Sequence, residues 1–124
     1  SFKNATKQYQ ILFNLVENGI KYNREGGSVH VRVRHADDTV VIDVEDTGTG
    51  IPESALPSIF NRFYRVDKAR SRQAGGAGLG LSIVHEMVGR NFGTIEVTSK
   101  VGEGSRFTVT FPSFGSGEEE DGDA

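Results

Sequence analysis

The chain has 124 residues, no cysteine and a formal net charge of −3. A single domain of this size buries a core without disulfides or a structural metal, and thiolate catalysis and Cys-ligated metals are excluded. The negative balance argues against nucleic acid as a partner, and no apolar run reaches the roughly 18 residues of a membrane helix.

Residues 6–22 carry Ile11, Leu12, Leu15, Val16, Ile20 and Tyr22 at helical spacing, with Asn4 or Thr6 as the expected N-cap. Gly26-Gly27 breaks that helix. Val29, Val31 and Val33 alternate with His30, Arg32 and Arg34, which predicts a half-buried strand. After the turn Ala36-Asp37-Asp38, Val40, Ile42 and Val44 alternate with Val41, Asp43 and Glu45, so a hairpin partner is expected. Pro52-Glu53-Ser54 marks a helix start, and a short helix with Phe60 and Phe63 on one side should follow. Residues 66–77 are charged, then Gly-rich, without apolar period, as in a mobile loop. Leu79 to Asn91 predicts a helix with Leu79, Ile83, Val84, Met87 and Val88 inward and Gly93 as its C-cap. Strands at Thr94–Ser99 and Arg106–Phe111 flank the turn Val101-Gly102-Glu103-Gly104. Residues 1–112 form the expected domain, and 113–124 an acidic, disordered tail by composition.

The glycines cluster at Asp46-Thr47-Gly48-Thr49-Gly50-Ile51-Pro52 and at Gly75-Gly76-Ala77-Gly78-Leu79-Gly80-Leu81-Ser82. Glycine lets backbone N–H groups approach phosphate oxygens, and a cluster that opens a helix adds the positive end of its dipole. An ordinary helix-entry turn accounts equally well for the second cluster alone. Asp46 ends a strand, where its carboxylate can accept from an exocyclic amine such as adenine's or simply cap its own turn. Asn14 and Asn18 lie four apart and interrupt the apolar seam of the first helix. Asn18 offers an oxygen suited to Mg²⁺, and Lys21 could reach a phosphate one turn on. Tyr22 could pack on a base or belong to the core. Arg62 and Arg65 flank aromatic residues and could meet a terminal phosphate or be solvated. The three histidines show neither zinc spacing nor Ser-His-Asp logic.

Taken together, Asn14–Tyr22, Asp46–Gly50, Phe60–Arg65, Gly76–Gly80 and Gly102–Ser105 resemble the N box, first glycine box, F box and later glycine boxes of the ATP-binding catalytic domain of bacterial two-component sensor histidine kinases. The resemblance covers about residues 4–112. It implies an α+β two-layer sandwich of the Bergerat type: a mixed, mostly antiparallel sheet with helices on one face, here without its upstream strand. It implies ATP and Mg²⁺ as cofactors. Asp46 would accept from the adenine amine, Asn18 would bind Mg²⁺ with Asn14 in support, Lys21 would contact phosphate and Tyr22 would flank the base. Gly48, Gly50, Ile51, Phe60, Leu79 and Leu81 would shape the nucleotide pocket. Gly76, Gly78 and Gly80 would hold phosphates, Arg65 would assist transfer, and residues 66–77 would form a lid.

The implied activity is transfer of the γ-phosphoryl group to a histidine on a separate dimerisation and phosphoacceptor domain, with a response regulator downstream and no nucleic acid or direct membrane contact. The chain would be a cytoplasmic catalytic fragment of a membrane-anchored kinase, inactive in transfer without the acceptor domain. Alternatives are a regulatory nucleotide-binding module without effective transfer and a serine kinase of the anti-sigma type. The gyrase and chaperone branch needs a general-base Glu where Asn14 stands, which argues against it. Gly19 and Ala77 depart from the family's usual Ala and Thr, and Gln8 stands where an apolar residue is usual.

Overall fold

The computed structural model describes residues 2–62, 64 and 80–113, and of residues 2–7 the backbone alone. The expected lid at 66–77, the tail from residue 114 onward, Arg65, Gly76, Gly78 and Leu79 lie outside the described residues.

Helix α1 spans Phe2–Lys21. It runs through Asn4 and Thr6, so neither caps it; no Gly or Pro precedes Gly19 to halt the helix. Ile11 and Leu15 are fully buried, and Leu12 and Val16 flank them. Strands β1 (Val29–Ala36) and β2 (Thr39–Asp46) form a hairpin whose turn holds Asp37 at φ 53°. A 3-10 helix follows at Glu53–Ser58. It replaces the expected short helix and ends before Phe60, because Pro57 lies within it and supplies no N–H to prolong a ladder. Helix α2 (Gly80–Arg90), β3 (Thr94–Lys100) and β4 (Gly104–Pro112) complete the described elements.

The described strands form one sheet in the order β1-β2-β4-β3, and each of these pairings is antiparallel. Both helices pack on one face. Ile42 and Val44 of β2 and Phe107, Val109 and Phe111 of β4 meet Ile11, Leu15, Val84 and Val88 from the helices, closed at one side by Ile59. Each such burial contributes roughly 1.5–3 kcal/mol.

Three expectations about faces change. First, β1 is an edge strand that the helix layer covers only near Val29. Val31 and Val33 point to the core side yet stay 42% and 56% exposed. Second, β2 is buried on both faces: Val41 and Asp43, on the side away from the helices, are 7% and 1% exposed. Asp43 is covered because Arg34, Arg106 and Thr108 converge on it, at 3.2, 2.9 and 2.6 Å. The Arg106 hydrogen bond, followed by that of Thr108, holds its carboxyl below the usual carboxylate range despite burial. Third, Ile83 is 45% exposed rather than inward, since Val84 and Val88 make the buried stripe of α2.

The end of α2 also differs. Gly93 N–H donates to the Val88 carbonyl at 2.9 Å and Phe92 N–H to that of Gly89 at 3.0 Å, the paired bonds of a Schellman motif. The left-handed residue is Phe92, at φ 63°. Gly93 is needed for a different reason: a Cβ there would lie 2.7 Å from the Thr110 carbonyl oxygen of β4.

Candidate functional site

Asp46 ends β2 between β1 and β4, opposite Val29 on one side and Ser105 on the other. Pairing on both sides makes the position rigid. Its Oδ1 accepts from the N–H of Gly48 at 2.9 Å and of Ser105 at 3.3 Å. Oδ2 takes no hydrogen bond from the described residues. It is not sealed off, because no buried side-chain nitrogen or oxygen among them lacks a partner. Burial pushes the carboxyl up from its ordinary value, against the opposing pull of the Gly48 and Ser105 N–H groups. The arrangement is a half-used, desolvated acceptor at a strand end, ready for one further donor.

The turn after Asp46 is built by close backbone approach. A Cβ at Gly48 would lie 2.5 Å from the Tyr22 carbonyl oxygen, and Gly50 sits at φ +76° against the Lys100 carbonyl. Thr49 N–H donates to the Tyr22 carbonyl at 3.1 Å, and Thr49's own carbonyl accepts from Gly102 N–H at 2.9 Å. Ile51 N–H donates to Ser99 Oγ at 2.7 Å, and that hydroxyl lies 2.7 Å from Ser105 Oγ. Ser99 fixes the far end of the turn. Nothing in the sequence marks it, since a serine closing an alternating strand carries no motif.

The last turn of α1 lies beside this carboxylate: a Cβ at Gly19 would come 3.5 Å from Asp46 Cβ and 3.2 Å from Val29 Cγ2. The end of α1, which carries Asn18, Lys21 and Tyr22, is thereby set beside Asp46, with the Tyr22 carbonyl against Gly48. The half-buried side chains of Asn14 and Asn18 make no hydrogen bond to the described residues. Lys21 is 3.9 Å from Glu17, a loose pair on an open surface. Asn14 sits one turn earlier and lines a cleft of about 450 Å³ between α1 and α2 with Tyr9, Gln10, Phe13, Ile83 and Met87.

Phe60 sits partly buried against the core, its ring centroid 5.1 Å from that of His85 on α2. It ties the 3-10 segment to α2. Leu81 is half-buried against the same core, and Gly80 opens α2. Among the described residues no three His, Cys, Asp or Glu gather as a metal cluster, and no helix is long and apolar enough to cross a membrane. The amide of Asn18, without a hydrogen-bond partner among the described residues, fits a hard cation that keeps waters and phosphate oxygens as its other ligands.

The family model of histidine kinase-, DNA gyrase B- and HSP90-like ATPases matches residues 3–114. Among similar curated proteins, sensor histidine kinase WalK of Bacillus subtilis (strain 168) is 45% identical over 105 residues, 83% of this chain and 17% of WalK. Sensor histidine kinase RppB of Synechocystis is 40% identical over 111 residues, 90% of this chain and 24% of RppB. The chain therefore spans between about a sixth and a quarter of these relatives. Among solved structures, the mycobacterial sensor histidine kinase MprB aligns with a TM-score of 0.75 at 28% identity, covering 86% of this chain and 72% of that one. Full-length ShkA in complex with AMPPNP aligns with a TM-score of 0.72 at 31% identity, covering 89% of this chain and 22% of that one. With its antiparallel sheet, its one-sided helix layer and the Asp46 turn set against α1, the chain belongs to the histidine kinase-, DNA gyrase B- and HSP90-like ATPases, on the side of the sensor histidine kinases.

Proposed function

We propose that the chain binds ATP with Mg²⁺ and transfers the γ-phosphoryl group to a histidine of a separate dimerisation and phosphoacceptor domain, in two-component signalling. The observation that carries this reading is the Asp46 carboxylate, locked through Oδ1 by two N–H groups and open at Oδ2. Adenine presents an exocyclic amine to such an acceptor. Guanine presents a carbonyl at that position, and two acceptors would face each other. The similar full-length ShkA structure is in complex with AMPPNP, which supports a nucleotide as this chain's ligand.

Catalysis of this kind consists mainly of positioning and charge neutralisation. Asp46 fixes the base. Tyr22 flanks it, and Lys21 brings a point charge to the phosphates. Asn18, supported by Asn14, holds Mg²⁺, which when bound neutralises charge on the phosphate oxygens. Gly80 at the head of α2 serves the phosphate end. Arg65, Gly76 and Gly78 take their phosphate-side roles from the family resemblance alone. The nucleophile is the acceptor histidine. The catalytic portion would work in the cytoplasm, and the phosphorylated acceptor histidine would pass the group on to a response regulator.

The test joins the chain to the phosphoacceptor domain of a similar sensor kinase and supplies γ-labelled ATP. Phosphohistidine is acid-labile and alkali-stable, so label with that profile on the acceptor domain supports the reading. An acid-stable label would point to a serine kinase, and ATP binding without any label to a regulatory module.

A further inference from the structure

A hydrogen-bonded cluster joins the segment after α1 to Thr47, the residue after Asp46 in the first glycine box. Thr47 Oγ1 accepts from Ser28 N–H at 2.8 Å and lies 3.3 Å from Asn23 Oδ1, to which its hydroxyl donates. Thr47 N–H donates to the Ser28 carbonyl at 3.1 Å, and Asn23 Nδ2 donates to the same carbonyl at 2.9 Å. Asn23 Oδ1 also accepts from Arg24 N–H at 2.9 Å, which fixes the orientation of the amide. All three side chains are partly buried, so water competes poorly for these bonds.

The placement matters more than the number of bonds. Asn23 directly follows Tyr22, and Thr47 directly follows Asp46. The cluster therefore couples the end of α1, with Asn18, Lys21 and Tyr22, to the start of the turn that carries the acceptor carboxylate. A ligand that is read at its base by one group and at its phosphates by the other gains from both only when their separation is fixed beforehand.

We infer that Thr47 and Asn23 are positioning residues that set the span between the base-reading carboxylate and the phosphate-side end of α1. The inference rests on the ATP reading above and deepens it. Neither residue needs to touch the nucleotide. Their effect appears in how much the phosphates add to the affinity of the base.

The experiment measures adenosine and Mg–ATP dissociation constants by titration for the unmodified chain, Thr47→Val and Thr47→Ser, at a temperature where circular dichroism shows each folded. Thr47→Val keeps the shape and removes the hydroxyl. It should leave adenosine affinity within about twofold and weaken Mg–ATP by about 3–10-fold, the worth of one net hydrogen bond. Thr47→Ser should restore most of the Mg–ATP affinity. Equal weakening of both ligands, or no change in either, overturns the positioning role while leaving ATP binding intact. An unmodified chain that binds neither ligand overturns the ATP reading itself. If Thr47→Val does not fold, Asn23→Ala removes the partner amide and is judged by the same comparison.

Discussion

Asp46 is held in a state that the fold alone would not choose. Burial raises its carboxyl pKa, so the ionised form is disfavoured relative to the unfolded chain. For an acid with a raised folded pKa, the stabilising contribution exists below the unfolded value and is lost as pH rises through the folded one. Near neutrality the charge is therefore a liability to stability. Asp46→Asn can keep the two N–H bonds through its amide oxygen, and should unfold at the same temperature as the unmodified chain or higher at pH 7. That difference should shrink as acid protonates Asp46, which thermal melts across pH 3–7 would check. Phe92 is a second residue at odds with its conformation, 78% exposed at φ 63°. A left-handed residue with a Cβ is strained by roughly 1–2 kcal/mol, so Phe92→Gly should stabilise by up to about 1 kcal/mol after glycine's added unfolded-state freedom. Gly93→Ala should destabilise, because its Cβ meets a β4 carbonyl. Denaturant midpoints of the two variants should move in opposite directions.

Among the elements, β1 and β2 show where reading a sequence stops. The alternation of Val29, Val31 and Val33 located a strand and its inward face correctly. It could not reveal that β1 is an edge, since edge position is set by the partners of β2 and β4 in the sheet. Val31→Thr with Val33→Thr should therefore change stability by less than about 0.5 kcal/mol, as at exposed sites. Val44→Ala, at 1% exposure, should lose about 2 kcal/mol or more through the cavity left behind. Chemical unfolding of both variants separates the two cases. Asp43 read as the solvent side of β2, yet Arg34 from β1 and Arg106 from β4 enclose it. Its folded pKa is lowered, so its stabilising contribution is complete above the ordinary value and is lost as pH falls through the folded one. Asp43→Asn should cost about 1–3 kcal/mol near pH 7, a gap that closes in unfolding experiments as pH falls through the lowered folded pKa. The site followed the same pattern. Asp46, Gly48, Gly50 and Asn18 stand out as candidates because local chemistry marks a Gly-rich turn and amides in an apolar seam. Asn23, Thr47 and Ser99 do not, since their roles arise from contacts between segments far apart in the chain.

Over the whole molecule, the sheet supplies rigidity at Asp46 and the one-sided helix layer brings α1 beside it. The candidate site thus lies at the end of β2, a strand paired on both sides, and beside the end of α1. The β3–β4 hairpin adds a third support through Ser99, Ser105 and Gly102. We propose that this arrangement selects adenine through Asp46. Calorimetric titration of ATP and GTP, with Mg²⁺, into the unmodified chain and Asp46→Asn tests it most directly. ATP should bind the unmodified chain at least about tenfold more tightly than GTP. Asp46→Asn should lose roughly 1.5–3 kcal/mol of ATP affinity, about 10–150-fold, and its ATP-to-GTP ratio should fall towards one because the amide can donate to a guanine carbonyl. Equal binding of ATP and GTP by the unmodified chain, or an unchanged ATP affinity in a folded Asp46→Asn, would contradict the account.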